Sequence, residues 1–394
     1  MSDSFYTEVG SAQRNHMGER ICGDVFLSEK VKQEGRTVVV LSDGMGHGVK
    51  ANLLATLTAT MALNFTKEHK DAHKIAEIIM NTLPVCSERK ISYATFTIID
   101  IEKDGQCTIL NYDNPDAMVF RGKDVFEPKW QKISLEGQDS AQKELRACSF
   151  RSQKEDRIML MTDGITQSGL GKGKYLLGWG EENVLQHVLS IVSDQPGISA
   201  SKLAGLVVNK AHANDGYQAK DDTSAAVIYF RDPRRLLICS GPPYEKEKDK
   251  ELAQIVSSFD GKKILCGGTT ADIISRELNI PVEDTLEFDD PDLPPLSYMN
   301  GIDLVTEGIL TLSKTAEILD RFSPRTDLGK GPADLIVKQI LDSDEIHLLA
   351  GTAINVAHQD PNLPVELEIR RTVLKKIARI LEEKFLKEVS IRFI

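Results

Sequence analysis

The stretch Val38-Val39-Val40-Leu41-Ser42-Asp43-Gly44-Met45-Gly46-His47-Gly48 is an apolar, β-branched run that stops at an aspartate and breaks into glycines. Such a run reads as a buried strand, and Asp-Gly at its end reads as a tight turn. A carboxylate at the end of a buried strand is held rigidly while its oxygens still reach solvent. The pattern returns downstream, where residues 158–161 lead into Thr162-Asp163-Gly164-Ile165-Thr166. Asp24 precedes Val25-Phe26-Leu27, and Asp221-Asp222 precede the apolar run 223–230. One Asp-Gly after a strand is adequately read as a turn. Acidic positions repeated at the borders of several strands read instead as oxygen donors converging on a hard divalent cation, magnesium or manganese, because zinc would favour nearby His or Cys.

Working outward, residues 37–42, 91–101, 107–112, 117–121, 157–162 and 223–230 are short and β-branched or aromatic, and are expected as strands. Residues 49–69 place Leu54, Leu57, Met61 and Phe65 at helical spacing, and residues 71–83 do the same with Ile75, Ile79 and Leu83. Two more helices follow Trp179, the later opening at Ser199, a fitting N-cap for a face of Leu203, Leu206 and Val207. At Arg231-Asp232-Pro233-Arg234-Arg235 the pattern changes, and a charged segment containing proline suits a linker. Two domains are expected, 1–230 and 231–394, in keeping with about 150 residues per domain. Beyond the linker, short strands near 236–239, 263–266, 302–305 and 346–350 each end in a glycine-containing turn, with helical patterns between them. This is the pattern of a smaller α/β domain with a mostly parallel sheet whose loops gather at one edge. A helix through Ile369, Val373, Ile377 and Leu381 and a strand at 389–393 follow.

With 41% hydrophobic and 27% charged residues, the chain has an ordinary globular composition. Its 59 acidic and 48 basic residues give a formal net charge of -11, which argues against nucleic acid or a membrane surface as partner. Met1-Ser2-Asp3-Ser4-Phe5-Tyr6 lacks the basic and apolar parts of a signal peptide, and no run approaches the roughly 20 apolar residues of a membrane span. A cytoplasmic location is expected. Cys22, Cys86, Cys107, Cys148, Cys239 and Cys266 show no C-x-x-C spacing and read as reduced thiols.

The ordered set Gly23-Asp24, Ser42-Asp43-Gly44-Met45-Gly46-His47-Gly48, Thr162-Asp163-Gly164-Ile165-Thr166 and Asp221-Asp222-Thr223-Ser224 resembles the metal-dependent serine/threonine protein phosphatases of the type 2C class. Within that class it is most similar to the bacterial SpoIIE-like branch. The resemblance covers roughly residues 5–230, and none is evident for 233–394. It implies an αββα sandwich, two central sheets flanked by helix pairs, with two Mn2+ or Mg2+ ions at one end. By the same resemblance Asp43 would bridge both metals, Gly44 would offer its carbonyl to one, and Asp24, Asp163 and Asp221 would add carboxylates directly or through water. Asp221 matches the family's metal-binding position, and Asp222 the position beside it, as an alternative or supporting ligand. Two places depart from the family. Thr166-Gln167 stands where many relatives have Thr-Glu, and Asn111-Tyr112-Asp113-Asn114-Pro115 stands where Asn-Ala-Gly-His is common. Both bear on substrate contacts and neither touches an implied ligand.

A phosphoserine or phosphothreonine monoester is a dianion that repels hydroxide. Two cations roughly 4 Å apart neutralise it and acidify the attacking water, so no phosphoenzyme is required. The sequence has no Cys-x5-Arg loop for a cysteine nucleophile. Asp43, Asp163 and His47 are the expected catalytic residues, His47 either protonating the leaving oxygen or only positioning the helix that follows. Arg14 and Arg20 are candidates to grip phosphate, or else surface ion-pair partners. In the C-terminal half, Gly267, Gly268, Thr269, Thr270, Gly351 and Thr352 offer amides and hydroxyls either to a small anionic ligand or to tight packing. Cys239 and Cys266, just before two such turns, read as a thiol sensor or as buried strand residues.

The expected function is hydrolysis of phosphoserine or phosphothreonine on a regulatory protein, which the resemblance suggests is an anti-sigma-factor antagonist. The C-terminal half would regulate this or bind a ligand. One alternative is a catalytically weak phosphoprotein-binding regulator whose C-terminal domain senses a small anionic ligand. Another is a C-terminal half that is itself an enzyme acting on a nucleotide or sugar phosphate.

Overall fold

Residues 38–41 are completely buried in the middle of a strand, and the first part of the chain is arranged around them. The computed structural model describes residues 5–31, 34–68, 71–82, 94–133, 145–171, 175–284, 296–323, 326–353, 365–385 and 387–394. The chain forms two units, Met1–Asp232 and Pro233–Ile394.

The first unit runs β1 (Tyr6–Arg14), β2 (Asp24–Val31), β3 (Arg36–Gly44), α1 (Gly48–Lys67), α2 (Ala72–Thr82), β4 (Ala94–Ile101), β5 (Gln106–Tyr112), β6 (Met118–Arg121), β7 (Asp124–Phe126), β8 (Gln131–Ile133), β9 (Leu145–Arg151), β10 (Asp156–Met161), the single turn α3 (Asp163–Thr166), α4 (Glu181–Asp194), α5 (Ala200–Asn214) and β11 (Thr223–Arg231). A five-stranded sheet has the order β1-β11-β10-β6-β7, and a six-stranded sheet the order β2-β3-β4-β5-β9-β8. Val39, Leu41, Ile99 and Ile109 of the second sheet meet Val119, Ile158, Leu160 and Ile228 of the first. Side chains alternate across a strand, so Val38 and Val40 turn the other way and pack, with Phe96 and Ile98, against α1 and α2. The outer face of the first sheet carries α4 and α5 through Val184, Val188, Leu203 and Val207. The unit is the expected αββα sandwich.

Helix α1 does not bury the face its leucine spacing predicts. Leu54, Leu57, Met61 and Phe65 mark that face, yet Leu57 is exposed and the other three are only partly buried, while the buried residues are Gly48, Ala51, Ala55, Thr58, Ala59, Ala62 and Thr66. Leu53 and Leu57 are 64% and 47% exposed. Small side chains let the helix backbone approach the sheet closely. A Cβ on Gly44 would lie 2.0 Å from the Ala51 carbonyl oxygen, so nothing larger fits there. Elsewhere Ser199 caps α5 as expected, its Oγ accepting from Lys202 N at 3.3 Å. His69, Leu83, Cys86 and residues 91–93 lie outside the described residues.

The second unit runs β12 (Arg235–Ser240), α6 (Asp249–Ser258), β13 (Lys262–Cys266), α7 (Gly268–Leu278), β14 (Val282–Asp284), β15 (Ser297–Met299), β16 (Leu304–Thr306), α8 (Ile309–Arg321), α9 (Pro332–Leu341), β17 (Glu345–Ala350), α10 (Val365–Lys384) and β18 (Glu388–Phe393). Its seven strands are ordered β14-β15-β16-β13-β12-β17-β18. Neighbours from β16 to β18 are parallel, and β14 and β15 add an antiparallel edge. This is the mostly parallel sheet that the glycine turns predict. Helices cover both faces, with Leu312, Ile336 and Leu374 on one and Leu252 and Ile274 on the other. Among the described residues no helix is long and apolar enough to cross a membrane.

Trp130 and Trp179 are the two tryptophans and both lie in the first unit, so their fluorescence reports its unfolding. In urea melts read this way, Ala55→Leu is expected to lower stability by about 1–3 kcal/mol through overpacking. Leu53→Ala should change it by no more than about 0.5 kcal/mol. The opposite ranking would restore the leucine face as the buried one.

Candidate active site

Strand register brings the first two aspartates together, for Asp24 at the start of β2 pairs directly with Asp43 near the end of β3. Asp163 opens α3 immediately after β10, and Asp221 lies just before β11, which pairs with β10. These strand ends from both sheets meet at a pocket of about 400 Å³ whose lining includes Asp43, Asp163, Asp221, His16, His47 and Lys220.

Asp24 is only 2% exposed. Its Oδ2 accepts from Thr162 Oγ1 at 2.9 Å and from Ser224 Oγ at 2.6 Å. Its Oδ1 is buried with no hydrogen-bond donor among the described residues. Burial pushes the Asp24 carboxyl above the usual range, the two hydroxyls pull it down, and Asp222 and Asp221 push it up again. Asp43 is raised further, by burial first and then by the carboxylates of Asp24, Asp163 and Asp221. Asp221 is pushed up to about 6 by burial and by Asp163.

Crowded carboxylates of this kind suit cations, and an all-oxygen set suits a hard divalent one. Among the described residues no three His, Cys, Asp or Glu side chains already form a group that could hold an ion. The donor chemistry and the donorless Asp24 oxygen are what fit a metal.

The family model for stage II sporulation protein E (SpoIIE) matches residues 33–231. The chain belongs to the SpoIIE family. Its matched region is a PP2C-like domain of a metal-dependent family. Among solved structures the chain is similar to the phosphatase domain of the cell fate determinant SpoIIE from Bacillus subtilis, with 17% identity over 58% of this chain and 94% of that one, TM-score 0.43. A second structure, of the PP2C phosphatase domain and a regulatory-domain fragment of the same protein, gives 18% identity over 58% of this chain and TM-score 0.47. This chain spans 64% of that one, less than two thirds. RsbX in complex with magnesium gives 17% identity over 58% and 98% of the two chains, TM-score 0.40. No curated protein matches the chain.

Within this SpoIIE domain the two departures from the family have structural roles. Gln167 Nε2 donates to Asp163 Oδ2 at 2.7 Å, an uncharged donor where a glutamate would add charge. Asn111 Oδ1 accepts from Thr97 Oγ1 at 2.8 Å and Asn114 Nδ2 donates to the same hydroxyl at 3.1 Å, tying β4 to the loop after β5. Asp113 of that loop lines the pocket.

Asp222 does not line it. Its Oδ1 accepts from His16 N at 2.9 Å, and its Oδ2 is buried with no partner among the described residues. Gly44 is buried where β3 meets α1. Arg14 and Arg20 are also absent from the lining. Arg14 Nη2 donates to Asn209 Oδ1 on α5 at 3.3 Å, and Arg20 is exposed. Lys220 instead brings a cation to the wall, held by its donation to Leu170 O at 2.9 Å. Neither His16 nor Lys220 belongs to a motif, and their place follows from the loops that carry them.

The glycine turns of the second unit share a sheet edge, but many of their polar groups are committed to the chain. Gly267 N donates to Thr306 O at 2.8 Å, Gly351 N to Ser240 O at 2.9 Å, and Thr352 N to Ile394 O at 2.9 Å. Thr352 Oγ1 donates to Ile394 O at 2.8 Å, and Thr270 Oγ1 accepts from Gly241 N at 2.8 Å. At the start of α8, Glu307 Oε2 accepts from Gly308 N at 3.3 Å, so the protein brings its own anion there. Gly268 and Thr269 are exposed at the start of α7. Cys239 and Cys266 are fully buried free thiols, and burial pushes Cys266 up to about 12, which disfavours the thiolate a sensor needs.

Asp24, Asp43 and Asp221 have folded-state pKa values above those of the unfolded chain, so the folded SpoIIE domain holds more protons than the unfolded one. The Asp221 contribution to metal-free stability is lost as pH rises from about 4, the ordinary aspartate value, through about 6, and those of Asp24 and Asp43, which are raised further, continue to be lost at higher pH. Thermal melts in chelator should show this decline, millimolar magnesium or manganese should reverse it, and Asp43→Asn should flatten both responses. A midpoint that rises across this window and ignores metal would contradict the crowding.

Proposed function

We propose that the first unit hydrolyses phosphoserine and phosphothreonine on a regulatory protein in the cytoplasm, using two Mn2+ or Mg2+ ions and no phosphoenzyme. The observation that carries this reading is the crowding of Asp43 against Asp24, Asp163 and Asp221 at a pocket that also holds His47 and Lys220. Asp43, set between carboxylates of both sheets, is suited to bridge two ions. The Gly44 carbonyl, Asp24, Asp163 and Asp221 would complete the set, with Asp222 in support. When bound, the ions neutralise the phosphoryl oxygens and lower the pKa of the attacking water. Lys220 is placed to draw in the dianion, and His47 would supply the proton that the leaving oxygen takes. Cys22, near Asp24, is a poor nucleophile, since burial and Asp24 push its thiol up to about 12.

By the family resemblance, the substrate is a small phosphorylated regulator of the anti-sigma-factor-antagonist kind. Residues 233–394 would regulate the activity or bind a ligand. Their strand order reverses between β12 and β17, the position at which open α/β sheets bind ligands, which supports a binding role.

Phosphate release from phosphoserine and phosphothreonine peptides by the full chain is expected to require manganese or magnesium. Asp43→Asn should lower it by about two orders of magnitude or more. A folded, metal-saturated chain that binds these peptides without releasing phosphate would establish the binding-regulator alternative instead.

A further inference from the structure

A tight turn before β2 grips His47 from two sides. Glu19 N donates to His16 O at 3.1 Å, and Gly18 inside the turn has φ +91, a value that side chains rarely permit. The turn is tied down, with Met17 N donating to Ala219 O at 2.9 Å and His16 N to Asp222 Oδ1 at 2.9 Å. From this base the His16 ring stacks on that of His47, centroids 4.4 Å apart and planes 10° from parallel. Glu19 Oε1 lies 2.8 Å from His47 Nδ1. The other Glu19 oxygen covers Gly48, where φ is +72 and a Cβ would come within 2.5 Å of it. Gly48 is the first residue of α1, whose first turn has no acidic residue and whose N-cap makes no side-chain hydrogen bond. Glu19 therefore brings to that helix end the negative charge it favours.

We infer that Glu19 is a positioning residue for His47, holding Nδ1 so that Nε2 serves the reaction; this rests on the hydrolysis proposed for the pocket. An ionised carboxylate only accepts hydrogen bonds. Nδ1 facing it therefore carries a proton whether the ring is charged or neutral, and the charged ring, which alone has a second proton, gives up the one on Nε2. In the hydrolysis, hydroxide bonds to phosphorus and the bond from phosphorus to the serine or threonine oxygen breaks, its electron pair going to that oxygen. The Nε2 proton passes to the same oxygen, and solvent then reprotonates the ring. Stacking on His16 keeps the ring plane from turning away. The pair itself is open to solvent, with His47 53% and Glu19 32% exposed, so it adds little to stability and its loss is felt in the chemistry.

The test compares a phosphoserine peptide, whose leaving oxygen needs a proton, with p-nitrophenyl phosphate, whose leaving group departs as a stable anion. In the manganese-loaded full chain, Glu19→Gln is expected to lower kcat on the peptide by about tenfold with little change in KM, and to lower turnover of the aryl ester several-fold less. Glu19→Asp should recover part of the loss, and Glu19→Gln with His47→Gln should be no slower than His47→Gln alone. Tryptophan-monitored melts confirm that each variant is folded. Equal losses on the two substrates, or additive losses in the double variant, would overturn the role of Glu19 and leave the hydrolase reading standing. If wild-type chain turns over neither substrate, both fall.

Discussion

A carboxylate that must sit among other carboxylates is the constraint on which the first unit turns. Asp43 lies across the β2–β3 register from Asp24, and its carboxyl is raised by burial, by Asp24, and by Asp163 and Asp221, which lie just beyond and just before strands of the opposite sheet. Like charges brought together in a partly desolvated place push apart, and something stronger must hold them. That hold is the apolar layer between the sheets, where Leu41 and Leu160, each within three residues of an aspartate, are completely or almost completely buried. Each such side chain stabilises the fold by about 1.5–3 kcal/mol. The sandwich supplies many of them, so the charges are confined rather than relieved.

The same packing explains how α1 serves the pocket. An alanine-rich face lets the helix settle close over Gly44, and this sets the His47-Gly48 entry of α1 beside the aspartates. Bulkier residues on that face would hold the helix away from β3 and take His47 with it. Leu53 and Leu57 are consequently left facing solvent. The turn at 16–19 then completes the arrangement from the other side. Its backbone is fastened to Ala219 and Asp222, the loop that also carries Lys220 and Asp221.

In the second unit, the glycine-rich strand ends that read as open to a ligand prove to be largely knitted into the sheet edge. Gly351 packs so tightly on the β12 loop that a Cβ would meet Pro242 O at 2.1 Å. Close packing, one of the two meanings such glycines can have, accounts for these contacts. The parallel order with its switch point remains the feature of this unit that favours binding.

The strands and paired helices of the first unit, the parallel second sheet and the aspartates at strand borders were legible in the sequence because each is a local signal, whereas the αββα sandwich was implied by the family resemblance that those aspartate motifs carry. An apolar run, a period, or an Asp-Gly at a strand end is written in consecutive residues. Strand β1 was not legible, for Gly10 is its one fully buried residue and no hydrophobic run announces it. Strand β9 likewise lacks a β-branched stretch. Arg14 and Arg20 stood close to the motif in sequence, yet the fold sends Arg14 to Asn209 and gives the pocket Lys220 from a loop roughly two hundred residues away. His16 and Glu19 gain meaning only because a turn sets them against His47. Sequence alone determined that acidic residues stand at the borders of particular apolar strands, since that depends on neighbours along the chain. Which side chains meet at the pocket was decided only by tertiary packing, because that depends on the register of two sheets and on how closely one helix approaches them.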